Sequence, residues 1–310
     1  MSTIFISVLC EVLISRCSNI LNPFQFPPLT LGRCKFCIVG FNSVILPHMK
    51  VHAIPCLSDN YSFVIEPSQE CRGTPTQESQ AWQAQTYDTQ TASVLVVDAC
   101  EAKPLMQFFE QHAFRPEVIL TTHHHHDHVG ANSELQRKFK CSVYARFPDS
   151  EQVPALSSRL DVEDTESFMT WRGIEIFALA IPGHTLGHTA YWFKNENTLF
   201  VGDTLFRFGC GRLFEGSYGQ LFSSLKKLAD LPDETTVYCG HEYALRNLDF
   251  CEKHKLIADG NTQRKKVEEQ INSTGSSVPF LLSDQKQVNP FLTAKTVEDF
   301  TQLRKLRDRF

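Results

Sequence analysis

Residues 118–132 read VILTTHHHHDHVGAN, an apolar strand running into five histidines and one aspartate at six consecutive positions, 123–128. Imidazoles at that density behind an apolar strand point to a metal. His123-x-His125-x-Asp127-His128 supplies nitrogen and oxygen donors suited to zinc, iron or manganese. Alternate positions in a strand-like exit point the same way. His123 and His125 are therefore expected to share one metal, with Asp127 and His128 turned towards another. His124 and His126 fall on the other parity, and packing or hydrogen bonding behind the ligands is their expected role.

Three further donors stand at the ends of later apolar stretches: His184 in PGHTLGH, Asp203 in VGDTLF and His241 in YCGHEY. His184 would complete the first site and His241 the second. Asp203, with two oxygens, can bridge them. Each of these alone is an ordinary surface histidine or a turn aspartate, and His188 is expected to support a ligand and not to be one. The weight comes from their combination with HxHxDH.

The chain around this cluster alternates strands and helices. KVHAIPC and YSFVIEP flank the turn LSDN, and SVLVVDAC, RPEVILTT, CSVYA, GIEIFALAI, TAYWF, NTLFVG and TTVYCG read as further strands. AKPLMQFFEQHA and SYGQLFSSLKKLADL carry helical periodicity, the second closed by Pro232. This order predicts an α/β layered domain over residues 49–241. The donor clusters all sit at strand ends, where loops can converge on a rigid sheet. After His241, ALRNLDFCEKHKL, NTQRKKVEEQINS and TVEDFTQLRKLRDRF predict a mainly helical segment over 242–310. Residues 68–92 are rich in Gln and Thr and lack apolar periodicity, so a solvated loop is expected there.

Composition bounds the function. The 310 residues are 42% apolar and 21% charged, with a net charge of -5, which gives no electrostatic reason to expect nucleic acid. No apolar run reaches the ~18 residues that span a bilayer. The 11 cysteines show no framework spacing and are expected to be mostly reduced. Residues 1–48 contain one acidic residue, Glu11, and three basic ones, Arg16, Arg33 and Lys35. They read equally as an organellar transit segment or as an extension ahead of a start at Met49. CKFC at 34–37 has no second pair and is taken as chance. A cytoplasmic location is expected, or a mitochondrion or other organelle if residues 1–48 are a transit segment.

HxHxDH, GHT, GDTLF and GHEY in this order resemble the metallo-β-lactamase superfamily. LFVGDTLFRFGCGRLFEGS and VYCGHEYALRNLDF are similar to its hydroxyacylglutathione hydrolase (glyoxalase II) family, and the likeness runs from Met49 through NPFL at Asn289 to RKLRDRF. The resemblance implies an αββα four-layer sandwich with a C-terminal helical substrate-binding segment. It implies a binuclear centre of divalent metals (zinc, or iron or manganese). His123, His125 and His184 would hold one, Asp127, His128 and His241 the other, and Asp203 would bridge, with Asp127 and Asp203 counted as catalytic. The implied reaction is hydrolysis of S-(2-hydroxyacyl)glutathione, typified by S-D-lactoylglutathione, to glutathione and a 2-hydroxy acid such as D-lactate, in methylglyoxal detoxification.

Hydroxide available at a bound metal near neutral pH suits attack on a thioester carbonyl. A thiol of pKa near ~8.5 then leaves without a strong general acid. Around the thiol carrier, the resemblance implies contacts from Arg212, Phe214, Tyr243, Arg304 and Arg307. Arg212 and Arg307 stand where many relatives have Lys, and Phe214 where some have Tyr, so a carrier other than glutathione is an alternative. A mononuclear-iron persulfide dioxygenase of the same fold is the rival activity, and a non-catalytic metal-binding protein the second rival. The expected partner is a small-molecule glutathione thioester, with no nucleic acid, no membrane and a monomeric chain.

Overall fold

The computed structural model describes residues 49–69, 91–161, 164 and 166–310. Strands β1 (Met49–Cys56), β2 (Asn60–Pro67), β3 (Ala92–Val97), β4 (Phe114–Leu120), β5 (Ser142–Arg146) and β6 (Ser158–Leu160) form one sheet in that spatial order. The pairs from β1 to β3 are antiparallel, and those from β3 to β6 are parallel. Helix α1 (Ala102–His112) makes the crossover from β3 to β4. The one-turn helix α2 (His126–Val129) and α3 (Asn132–Phe139) lead from β4 to β5.

The two faces of this sheet follow the period of two in its sequence. Val64, Val94, Val96 and Ile119 face one way and are buried with Leu105, Phe109 and Leu135 of α1 and α3. Phe63, Leu95, Val97, Val118 and Leu120 face the other way, into the main core. There they meet Trp171, Ile176, Tyr191, Phe193 and Phe200 of a second sheet.

That second sheet runs β14 (Phe280–Leu281), β13 (Thr236–Tyr238), β10 (Thr198–Phe200), β9 (Thr189–Phe193), β8 (Ile174–Ala180), β7 (Ser167–Trp171). A separate hairpin of β11 (Leu205–Phe206) and β12 (Gly209–Cys210) follows Asp203. Helix α4 (Tyr218–Ala229) opens on a capping box between Ser217 and Gln220 and buries Leu221, Leu225 and Leu228. It lies across the end of β8, where Lys227 Nζ donates to Ala180 O at 2.7 Å. Helix, sheet, sheet and helix thus stack in the expected αββα order.

The segment after His241 holds α5 (Ala244–Lys253), α6 (Gly260–Thr274), α7 (Leu282–Val288), α8 (Pro290–Thr293) and α9 (Val297–Asp308). Helical periodicity does not announce β14, which pairs antiparallel with β13 and ties this segment to the second sheet. Nor does it announce β6, β7 or the β11–β12 hairpin, whose two to five residues are too few to show a period. Most of the loop expected over 68–92 lies outside the described residues, and Ala92 already belongs to β3. Residues 1–48, with CKFC, also lie outside them.

Candidate metal centre

The site lies where the ends of the two sheets meet. The β1–β2 turn is stitched to the segment after β13: Tyr61 N donates to Gly240 O at 2.9 Å and Glu242 N to Asp59 O at 2.8 Å. The stretch after β4 delivers the histidine cluster, although not as a continuing strand. β4 stops at Leu120, residues 121–125 are irregular, and α2 begins at His126. His123 and His125 reach the site from the loop, and Asp127 and His128 from the helical turn.

His123 Nε2 and His184 Nε2 each lie 3.0 Å from His125 Nδ1. On the other side, His241 Nε2 lies 3.4 Å from Asp127 Oδ2, and His128 Nε2 lies 3.8 Å from the same oxygen. Asp203 stands between the groups. Its Oδ2 is 3.1 Å from His241 Nε2 and 3.6 Å from His184 Nε2, and its Oδ1 is 3.4 Å from His128 Nε2. All seven residues named from the sequence therefore converge in two sets of three with a carboxylate between them.

Glycines at two approaches make this possible. A Cβ at Gly240 would stand 2.5 Å from Asp203 Oδ1 and 2.7 Å from His128 Cε1. Gly202 adopts φ +47°, and a Cβ there would stand 2.5 Å from Thr122 Oγ1.

Four of the imidazoles are fixed from behind. His128 Nδ1 donates to Asp98 Oδ2 at 2.9 Å, and His241 Nδ1 to Asp59 Oδ1 at 2.8 Å. His184 Nδ1 donates to Arg212 O at 2.7 Å. Thr122 Oγ1 gives its proton to Asp98 Oδ2 at 2.7 Å, so it accepts from His123 Nδ1 at 3.0 Å. Each arrangement sets the tautomer and leaves Nε2 facing the centre. Asn60 Nδ2 donates to Asp127 Oδ2 at 2.9 Å and holds that carboxylate.

The electrostatics suit cations. Burial would raise the Asp203 carboxyl, but His241, His128 and His184 hold it well below the usual carboxylate range. Burial lowers His241, yet Asp203, Asp59 and Asp127 outweigh it and push the imidazole up to about 9. His125 is held down at about 4 by burial and by His184 and His124. His123 and His184 are lowered too, by burial first. Neutral imidazoles are the form that ligates, so His241, and His128, which Asp203 and Asp98 raise against burial, would give up a proton to a bound cation. The donor set passes a direct test of fit. His128 Nε2 and Asp203 Oδ1 are buried, face each other and have no hydrogen-bond partner. A cation between them would satisfy both.

The remaining histidines divide differently. His126 is exposed. His188 Nε2 accepts from Asp203 N at 3.1 Å, and its ring stacks on His123. His124 sits between two carboxylates, Nδ1 at 3.1 Å from Asp149 Oδ2 and Nε2 at 3.3 Å from Glu215 Oε1.

A cavity of about 390 Å³ opens above the donors, and Arg212, Phe214, Tyr243, Arg304 and Arg307 all line it. Tyr243 stacks on His241 with centroids 4.7 Å apart. Phe214, 61% exposed, puts its ring edge-on to His125 and His184. Arg304 is buried and tied inward: Nη1 donates to Cys210 O at 2.8 Å and Nη2 to Asp308 Oδ1 at 3.0 Å. Arg307 Nη2 donates to Asn247 Oδ1 at 3.2 Å.

Sequence reasoning missed Asp59, Asn60 and Asp98, and it did not single out Arg246, which lines the cavity. Asp98 closes the buried strand VVDAC, so a carboxylate at a strand end was the available signal. Asp59 and Asn60 read only as turn residues, and Arg246 only as part of a helix.

Residues 89–241 match the model of the metallo-beta-lactamase superfamily, and residues 242–310 match that of the hydroxyacylglutathione hydrolase C-terminus. The chain is 36% identical over 266 residues to hydroxyacylglutathione hydrolase of Pelagibacter ubique, covering 84% of this chain and all of that protein. It is 43% identical over 202 residues to the enzyme of the same name from Nitrosomonas eutropha, covering 64% of this chain and 76% of the relative. Among solved structures, ETHE1 from Myxococcus xanthus superposes with a TM-score of 0.57 at 21% identity, covering 83% of this chain and 90% of that one. BLEG-1 B3 metallo-beta-lactamase superposes with a TM-score of 0.55 at 20% identity, covering 79% and 100%. These two likenesses show a shared fold.

Proposed function

The chain belongs to the hydroxyacylglutathione hydrolase family of the metallo-β-lactamase superfamily, and from that premise we propose that it cleaves S-(2-hydroxyacyl)glutathione thioesters, S-D-lactoylglutathione among them, to glutathione and the 2-hydroxy acid. The observation that carries this reading is the convergence of seven nitrogen and oxygen donors, five of which line the floor of a cavity with a cationic wall.

His123, His125 and His184 would hold one divalent ion, Asp127, His128 and His241 a second, and Asp203 would serve both. Zinc, iron and manganese all suit this donor set. Bound there, the ions supply a hydroxide nucleophile near neutral pH and stabilise charge developing on a carbonyl oxygen. The protein's own part is orientation. Asp98, Asp59, Thr122 and the Arg212 carbonyl hold the imidazoles in one tautomer. The rings of Phe214 and Tyr243 flank the floor and would cover one side of a bound thioester. The arginines of the wall match the two carboxylates of the tripeptide.

The departing thiolate needs no acid from the protein. Cys210 also lines the cavity, but burial pushes its thiol up to about 11, so it stays protonated and is a poor nucleophile.

We assign residues 49–241 to the metal-binding domain and 242–310 to the substrate-binding segment, and we take the chain to act as a monomer. Six cysteines among the described residues are buried and unpaired, which suits the reducing cytoplasm or an organelle interior. No helix among the described residues is long and apolar enough to cross a membrane.

The test is steady-state hydrolysis of S-D-lactoylglutathione by the purified chain, with metal content measured before and after chelation. Two ions per chain and chelator-sensitive turnover support the reading. One iron per chain with persulfide oxidation and no thioester cleavage would replace it with the dioxygenase activity.

A further inference from the structure

Four arginines line the cavity, and away from the metal-ligating residues they face one carboxylate, Asp308. Two of the four lean on it. Arg304 is bonded to Asp308 and to backbone carbonyls of the β12 turn, and Arg212 Nε lies 3.9 Å from Asp308 Oδ1. Arg307 has a neutral partner, Asn247, and packs its guanidinium carbon 5.7 and 5.5 Å from the rings of Phe250 and Phe310. Arg246, in the first turn of α5, is exposed, and its side chain makes neither a hydrogen bond nor an ion pair among the described residues.

An unneutralised cation beside other cations carries a repulsive cost. Burial lowers the Arg307 guanidinium, and Arg304 and Arg246 lower it further. An anion entering the cavity would relieve that repulsion. A helix N-terminus adds in the same sense, since it too favours negative charge.

Resting on the glutathione thioester reading, we propose that Arg246 binds one of the two carboxylates of the glutathione moiety. Arg304 is less available for this part, because it is buried and its Nη1 and Nη2 already donate within the protein. The thioester carbonyl has to lie at the metal-ligating floor, and the tripeptide carries its carboxylates at its two separated ends. Two cations are therefore required, and Arg246 on α5 and Arg307 on α9 both line the cavity.

The experiment uses the metal-loaded full chain and three substrates: S-D-lactoylglutathione, the same compound amidated at the glycyl carboxylate, and the same compound amidated at the γ-glutamyl α-carboxylate. In the wild type, amidating the carboxylate held by Arg246 should raise KM about tenfold. Arg246→Ala should raise KM for the parent substrate by a similar factor with a much smaller change in kcat, and should abolish the penalty for that one derivative only. Arg246→Lys should restore part of the affinity. Penalties that persist unchanged in Arg246→Ala overturn the assignment. Penalties that shrink equally for both derivatives also overturn it, because they report a diffuse field and not a contact. No turnover of the parent substrate by metal-loaded wild type would instead sink the underlying thioesterase reading.

Discussion

Asp98 Oδ2 accepts from His128 Nδ1 at 2.9 Å, with both side chains buried. The same oxygen accepts from Thr122 Oγ1, and Oδ1 accepts from Thr122 N. One carboxylate that touches no metal position thus orients His128 directly and His123 through Thr122. Asp98→Ala should weaken metal affinity by roughly 10–100-fold. Metal titration against a competing chelator measures it. Wild-type affinity in a folded variant would show that the imidazoles are held in place by packing alone.

Asp203 should be indispensable to metal binding. Asp203→Ala removes the carboxylate whose oxygens lie 3.1 to 3.6 Å from three imidazole nitrogens. Metal content and turnover are expected to fall together, read by elemental analysis and steady-state kinetics on one preparation. A variant with full metal and full turnover would overturn the proposal that Asp203 bridges two ions.

Arg304 joins α9 to the β12 turn, and its loss should be felt in stability as well as in binding. Arg304→Ala leaves the Cys210 carbonyl without this donor, at a cost of about 1–3 kcal/mol. Denaturant unfolding should show that loss, and KM should rise more than kcat falls. A lowered midpoint with unchanged KM would limit Arg304 to bracing the turn.

Chelated protein should show a stability maximum near pH 6.5. Burial, with His184 and His124, holds His125 at about 4, below the 6.5 of an ordinary histidine. His125 stays neutral in the fold while the unfolded chain takes up a proton. Its contribution is complete above 6.5 and is lost as pH falls towards about 4. His241 has the opposite sign. Held at about 9 chiefly by Asp203 against the effect of burial, it contributes fully below 6.5 and loses that contribution as pH rises through about 9. Unfolding midpoints of the chelated protein across this range measure both limbs. A flat profile from pH 4 to 9 would show that these imidazoles titrate alike in both states.

How far the sequence alone reached is clear at particular residues. The short apolar runs in SVLVVDAC and RPEVILTT were enough to mark two strands, but only the structure showed that Leu95, Val97, Val118 and Leu120 share the face towards the main core. HxHxDH announced a metal site because donor type and close spacing are properties of the chain itself. The parity argument grouped His123 with His125, yet these residues leave β4 and stand in a loop. Their meeting with His184 is a matter of three-dimensional placement. Short elements such as β11, β12 and β14 escaped notice because two residues carry no period.

By itself, then, the sequence determined the layered α/β class, seven candidate donors and the cluster of basic residues in the C-terminal RKLRDRF. Those follow from side-chain chemistry and local periodicity. Tertiary structure decided which partner each group faces. Asp98 and Asp59 became the orienting carboxylates because the ends of separate strands meet beneath the imidazoles. Arg304 turned inward to a backbone carbonyl while the Arg246 side chain, at the cavity wall, meets no partner among the described residues. Such choices depend on contacts between residues tens of positions apart, and spacing along the chain holds no record of them.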